Sequence, residues 1–388
     1  MQYEILLSAT PDLLRVPVIW RLPGSGSGKT ALYCGAAAAI GQEIRAMDAQ
    51  HVLLVIGHHV SQTDAGAVVR ESMNTAGISY DVYSDIPSEP HFEDALRLAS
   101  AMSGKHYDAV VGVGGGSVLD LAKLAAQNTD ENFVQRIRTA SFCLSRLPLI
   151  LVPTTAGTGS EVSPYAVMTV DGKKVFYTSP YLLPDIALVD PLLTVSMPPR
   201  TTAATAFDAL THAVEGAMGR ALPFTSAIAA EVLSMVLQAL PLAMKDTENI
   251  QARYDLAFAS VMAMMGYAIG GGLYAHSVSY ILTLEKNLPH GVGCGLALPF
   301  TMRLNAPFIR PLMKRLEAAC SGRAPDEVIR ALYIGSGLPA TLEELGYREE
   351  DIPRLADLLC KQYYRKTNPR QLHDEDAQGL FRAMYYGV

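Results

Sequence analysis

Short apolar runs rich in β-branched residues punctuate the first half of the chain: Val-Leu-Leu-Val-Ile at 52–56, Ala-Val-Val-Gly at 109–112 and Leu-Ile-Leu-Val at 149–152. Each is too short for a stable helix and continuous rather than alternating, the pattern of a strand buried on both faces. Between them, residues 94–102 space Ala95, Leu98, Ala99 and Met102 three and four apart, which predicts a helix. Strands alternating with helices predict an α/β domain with a largely parallel sheet. Past Pro198 and Pro199 the pattern changes. Residues 203–218, 226–244, 253–267 and 325–333 carry helical spacing and few β-branched runs, which predicts an all-helical second domain. The expected division is 1–197 and 198–388.

Composition narrows the function classes. A chain of 388 residues with 49% hydrophobic and 18% charged residues has ample apolar side chain for two cores and no signature of disorder. The formal charge of −7 is diffuse, without a basic tract, so nucleic acid is not expected as a partner and a small molecule is. Five scattered cysteines (Cys34, Cys143, Cys294, Cys320, Cys360) form no C-x-x-C pair, which argues against a disulfide framework or a thiolate zinc site and fits a reducing cytoplasm. The N-terminus lacks a basic region followed by an apolar one, and no uncharged apolar run reaches about 18 residues, so neither export nor a membrane span is expected.

Candidate metal chemistry lies in the helical half. Asp208 and His212 stand four residues apart on a helical pattern, so their side chains leave one face about one turn apart. His276 and His290 are fourteen positions apart, about 21 Å on a straight helix, so sharing a site requires the chain to turn back between them. Glu285, Lys286, Asn287 and Pro289 supply a break there. Three imidazoles and one carboxylate suit Fe²⁺ or Zn²⁺ and leave a position open for substrate. Taken singly, each histidine reads more readily as a core or helix-cap residue, and it is the four together that favour a metal site.

The α/β half carries a phosphate-type turn. The strand at 109–112 runs into Gly114, Gly115, Gly116 and Ser117 and then a helical pattern, so backbone N–H groups at a helix start can face an anion. It is not the G-x-G-x-x-G dinucleotide fingerprint, because Ser117 stands where the third glycine belongs. A second glycine run at 23–30 imitates a nucleotide P-loop ahead of helix-prone residues 31–40, but Pro23 replaces its first glycine, and a surface loop is the better reading.

These motifs together resemble the iron-containing (group III) alcohol dehydrogenases. Gly114-Gly-Gly-Ser117-x-x-Asp120-x-Ala-Lys123, Pro153-Thr-Thr-Ala-Gly-Thr-Gly-Ser-Glu161-Val, Phe207-Asp208-Ala-Leu-Thr-His212-Ala-Val-Glu-Gly216 and Pro289-His290-Gly291 resemble that family's signatures in the family's order. The resemblance implies an N-terminal nucleotide-binding domain, a C-terminal metal-binding domain, and catalysis in the cleft between them. It implies Asp208, His212, His276 and His290 as ligands of iron or zinc. It further implies Gly115, Gly116, Ser117 and Asp120 at the pyrophosphate, Thr154, Thr155 and Thr158 along the nucleotide, and Lys174 at the nicotinamide-side ribose.

Two departures stand out. Where many members have an Asp after the first strand, this chain has Gly57 followed by His58 and His59; losing that carboxylate leaves room for a 2′-phosphate and favours NADP(H) over NAD(H). Tyr280 replaces a relay His four residues after His276, and a phenol is a much weaker acid than imidazolium. The implied activity is reversible hydride transfer between a small primary alcohol and its aldehyde, with Tyr280 and His276 as catalytic residues. In the reductase direction the polar stretch after His276 favours a polar or anionic aldehyde such as phosphonoacetaldehyde, with Lys286 and Tyr165 as candidates for its recognition. A dehydroquinate-synthase-like lyase or a glycerol-dehydrogenase-like polyol enzyme would share the fold. The resemblance also implies a homodimer or larger assembly.

Overall fold

The computed structural model describes residues 2–21, 28–128, 131–143 and 145–388. They form two compact units: Met1–Thr155 with Gly159–Ser196, and Ala156–Thr158 with Met197–Val388. The short segment carrying Thr158 therefore packs with the second unit rather than the first.

The first unit is an α/β layer built on a seven-stranded sheet in the order β1-β2-β9-β6-β5-β3-β4. Its strands are β1 (Val18–Arg21), β2 (Lys29–Leu32), β3 (His51–Ile56), β4 (Ser79–Tyr83), β5 (Ala109–Gly114), β6 (Leu149–Pro153) and β9 (Ile186–Val189). Only the edge pair β1/β2 is antiparallel; the other pairings are parallel. The three apolar runs at 52–56, 109–112 and 149–152 are the central strands β3, β5 and β6, buried throughout those runs. The weaker strands escape a periodicity reading. β4 is Ser-Tyr-Asp-Val-Tyr on a half-exposed edge, and the helix-prone start of 31–40 lies in β2, where pairing with β9 overrides local propensity. Helix returns as a 3-10 segment at Ala36–Ala39 and continues as an α-helix at Ile40–Ala46. A separate hairpin, β7 (Tyr165–Val170) with β8 (Lys173–Thr178), closes through Asp171 and Gly172, both at positive φ (48° and 73°), as a two-residue turn of the right twist requires.

The chain order reverses between β3 and β5: from β3 it steps out to β4 and returns to the other side at β5. Crevices at the carboxyl ends of such strands are the ligand positions of open α/β sheets. Here Ile56 faces Val113 in register, so Gly57 and the glycine run from Gly114 sit together at that point. The run continues into helix α1 (Gly116–Ala126).

The second unit is helical. Helices α2 (Pro199–Gly219), α3 (Pro223–Lys245) and α4 (Ile250–Gly270) pack on one another, α5 (Tyr274–Lys286) packs on α6 (His290–Asn305), and α6 packs on α2. Helices α4 and α5 meet at 109°, the bend taken up at Gly271 with φ 75°. The turn required between His276 and His290 is present: Asn287 ends α5 in the left-handed conformation (φ 50°) and Pro289 precedes α6. By length and hydropathy α3 is apolar enough to cross a bilayer, but it carries Glu231 and Pro241 and buries Ile228, Val232, Leu233 and Val236 within the unit.

Candidate metal centre

The four ligand candidates come together from three helices. On α2, Asp208 and His212 leave one face a turn apart, with Asp208 Oδ1 3.9 Å from His212 Nε2. His290, the first residue of α6, brings its Nε2 to 3.8 Å from the same oxygen. His276 on α5 completes the group, its ring 4.8 Å from that of His212 and 5.5 Å from that of His290. The approach of α6 depends on Gly291: a Cβ there would overlap the Ala204 carbonyl and lie 3.1 Å from the Asp208 Cβ. Any larger residue would push His290 away from α2.

Outer contacts set the tautomers. Glu215, three residues after His212, receives the Leu273 and Ala275 amides of the first turn of α5 (2.6 Å each) and the Nδ1–H of His276 (2.6 Å). The bend at Gly271 thus feeds unsatisfied helix-start N–H groups to a buried carboxylate, which in turn aims His276 Nε2 inward. Ser279 does the same for His290, accepting from Nδ1 (2.8 Å) while donating to the His290 carbonyl (2.6 Å). What remains is informative: Asp208 Oδ1 and His276 Nε2 are buried without any hydrogen-bond partner. Such atoms cost roughly 1–3 kcal/mol each unless something satisfies them. A divalent cation fits this donor set and removes that cost.

Burial dominates the titration of the group. It drives His276 well below the ordinary imidazole range, reinforced by the neighbouring His212 and His290. Burial also lowers His212, against the pull of Asp208. For Asp208 burial acts upward, but His212, His290 and His276 hold it below the usual carboxylate value. Neutral imidazoles beside an ionised carboxylate are the forms that bind a metal.

Three neighbours were not singled out from the sequence. Glu215 lies inside the motif that holds Asp208 and His212, and its helical spacing from His212 was the available signal. Ser279 had none. Cys294, one turn after His290, places its Sγ 3.5 Å from His290 Nε2, and donor atoms of Asp208, His276, His290 and Cys294 all lie within 4.8 Å of one another. The scattered cysteine spacing concealed this thiol, which burial keeps protonated by raising it well above its ordinary value.

Tyr280 stacks on His290, ring centroids 5.3 Å apart and planes 16° from parallel, and burial pushes its phenol up to about 12. It stays protonated near neutrality. Lys286 is directed elsewhere than the sequence suggested: its ammonium lies 4.4 Å over the Tyr347 ring and donates to the Gly346 carbonyl. Tyr165 belongs to the first unit, its ring 4.8 Å from that of Phe176.

The nucleotide candidates of the first unit are held differently. Gly115 caps α1 beside Thr155, and a Cβ on Gly114 would stand 2.7 Å from the Val118 side chain. Thr154 is buried and its amide donates to the Gly114 carbonyl (3.0 Å). Side chains here already have partners. Ser117 donates to the Ser88 carbonyl, Lys174 pairs with Glu89, and Asp120 accepts from Ser160 (2.6 Å) and the Val167 amide (2.9 Å). Asp120 therefore fastens the β7/β8 hairpin to α1. Gly57 donates to the Val113 carbonyl (3.3 Å), and His58 and His59 are exposed. Of the P-loop-like run, residues 23–27 lie outside the described residues; Lys29 opens β2 and pairs with Glu43 at 2.5 Å.

Residues 28–191 match the model of iron-containing alcohol dehydrogenases, and residues 202–385 match the C-terminal model of the same family. The chain belongs to the iron-containing alcohol dehydrogenases. It is similar to long-chain-alcohol dehydrogenase 1 of Geobacillus thermodenitrificans, 32% identical over 374 residues that cover 91% of this chain and 94% of the relative. It is also similar to the lactaldehyde reductase of Escherichia coli, 29% identical over 370 residues, 90% of this chain and 96% of that one. Among solved structures, sulfoacetaldehyde reductase from Bifidobacterium kashiwanohense in complex with NAD⁺ superposes with a TM-score of 0.83 at 28% identity, covering 90% of this chain and 95% of that one. The alcohol dehydrogenase fold and the oxidoreductase class of this chain follow from that membership.

Proposed function

We propose that this family member is a metal-dependent, NADP(H)-preferring aldehyde reductase acting on short anionic aldehydes, phosphonoacetaldehyde being the type. The observation that carries the reading is the meeting of Asp208, His276 and His290 donor atoms within 4.8 Å, with His212 Nε2 3.9 Å from Asp208 Oδ1, and with Asp208 Oδ1 and His276 Nε2 buried without partners. These four residues would hold iron or zinc. When bound, the metal supplies a Lewis acid for the substrate oxygen and the nicotinamide supplies or accepts the hydride.

The chain's own residues do the rest. Glu215 and Ser279 hold the proton on Nδ1 of His276 and His290, so that each presents a lone pair at Nε2. The Asp208 carboxylate reduces the net positive charge of the loaded site. Tyr280 buttresses His290 through ring stacking, and its protonated phenol donates a hydrogen bond to the reacting oxygen. In the first unit, Gly115, Gly116 and the Ser117 amide receive the pyrophosphate at the start of α1, with Thr154 and Thr155 alongside. Lys174 completes the nucleotide contacts of this unit, turning from Glu89 to the ribose.

The absence of a carboxylate at Gly57, with exposed His58 and His59 beside it, supports NADP(H), although the similar sulfoacetaldehyde reductase was solved with NAD⁺. Edge strand β1 exposes Val18 and Ile19, an arrangement that suits pairing with a second copy and supports a homodimer or larger assembly. The test is anaerobic purification, metal analysis, and NADPH and NADH oxidation against an aldehyde panel. One metal per chain and faster NADPH oxidation with anionic aldehydes are expected. No nicotinamide consumption with any aldehyde, together with turnover of a sugar phosphate, would replace the reading with a lyase of the same fold.

A further inference from the structure

One cation of the helical unit has no carboxylate partner among the described residues and stands next to the donor cluster. Arg365 follows the helix Ile352–Lys361 and is half-buried. Its Nε donates to Ser277 Oγ (2.9 Å), the residue after His276, and that hydroxyl donates to the Tyr363 carbonyl (2.7 Å). Its guanidinium carbon lies 5.8 Å from the centroid of the Tyr280 ring, whose neighbours are His290 at 5.3 Å and Tyr363 at 6.0 Å. A single aromatic ring therefore separates the guanidinium from a candidate metal ligand. The other buried cation of this unit, Arg253, is consumed by the structure: it donates to Thr247 and Met197 carbonyls and to the Thr202 hydroxyl.

Two features suit Arg365 to an oxyanion. Its Nε donates to Ser277 and a further side-chain hydrogen bond joins it to Tyr280, which leaves the remaining guanidinium N–H groups, held in one plane, for the oxygens of a phosphonate, sulfonate or carboxylate. Packing over Tyr280 and the Ser277 bond fix that plane in place. We infer that Arg365 is the anion-recognition residue of the metal centre, gripping the charged end of a two- or three-carbon aldehyde whose carbonyl lies at the Asp208–His290 side of Tyr280. The inference rests on the aldehyde-reductase reading and names the residue that makes its substrate class anionic.

The experiment uses the full metal-loaded chain as wild type, Arg365→Leu and Arg365→Lys. Methylphosphonate binding is measured by calorimetry, and kcat and KM are measured for phosphonoacetaldehyde, sulfoacetaldehyde and neutral propionaldehyde. Removing one charge-assisted contact should weaken methylphosphonate binding and raise KM for the two anionic aldehydes by about 10- to 100-fold. The propionaldehyde constants and metal content should stay within about threefold, and Arg365→Lys should recover part of the loss by retaining a point charge. Equal losses for anionic and neutral aldehydes, or methylphosphonate binding indifferent to Arg365→Leu, would overturn the inference while leaving the reductase reading in place. Arg365-dependent methylphosphonate binding without reduction of any aldehyde would uphold the anion site and remove the reductase reading.

Discussion

The glycine turn of the first unit and the histidine cluster of the second make opposite use of their polar groups. At the turn, the nearby side chains are already satisfied: Ser117 by Ser88, Lys174 by Glu89, Asp120 by Ser160 and Val167. What it offers a ligand is backbone, opened by the lack of side chains at Gly114, Gly115 and Gly116. In the cluster the backbone is closed into helices, the outer nitrogens of His276 and His290 are satisfied by Glu215 and Ser279, and inner atoms of Asp208 and His276 are left bare. A diphosphate needs many amide donors that any sequence can supply, whereas a cation needs particular electron pairs held without competitors. Buried polar atoms left alone are therefore the sharper marker of a missing partner.

The contrast predicts that substitutions in the two places fail separately. The largest effect belongs to His276→Ala or His290→Ala: metal retention is lost and turnover falls roughly a thousandfold or more, since the Lewis acid is worth several kcal/mol. Plasma emission analysis and steady-state rates check this, while NADPH binding measured by fluorescence should persist. Next comes Glu215→Gln, which removes the carboxylate that aims His276 and should weaken metal affinity by about 10- to 100-fold in a chelator competition. Gly114→Ala follows. Its Cβ meets Val118 at 2.7 Å, so the start of α1 must shift, and NADPH affinity should drop about tenfold with metal content unchanged.

The smallest effect is on stability. Burial raises Glu161 from its ordinary 4.5 to about 7. A carboxyl raised on folding contributes stability that is present below its unfolded value and lost as pH rises through the folded one. Melting temperature should therefore fall between about pH 4.5 and pH 7 through this group, and Glu161→Gln should flatten that slope. A Glu161→Gln profile that keeps the wild-type slope would mean that another group sets it.

Legibility followed the same division. The buried central strands β3, β5 and β6 and the helices around residues 203–267 were readable because full burial writes itself as unbroken apolar runs or helical spacing. The short strands β1, β2 and β4, at or next to the sheet edges, were not, because local sequence alone does not select their pairing. Asp208 and His212 stood out by spacing, and the turn between His276 and His290 by Asn287 and Pro289. Cys294 was missed although it stands one helical turn after His290, and Arg365 was missed because only folding brings a loop arginine beside those histidines. Lys286 was attractive as a charge near the motif, yet the end of α5 carries it to Tyr347 and Gly346.

The most direct measurement is X-ray absorption on the anaerobically loaded protein, with His276→Ala alongside. One metal per chain is expected, with a nitrogen and oxygen shell and the outer-shell scattering of three imidazoles, and no bound metal in the variant. A wild-type spectrum without imidazole scattering, or a variant that retains the metal in an unchanged shell, would rule out the histidine-held metal.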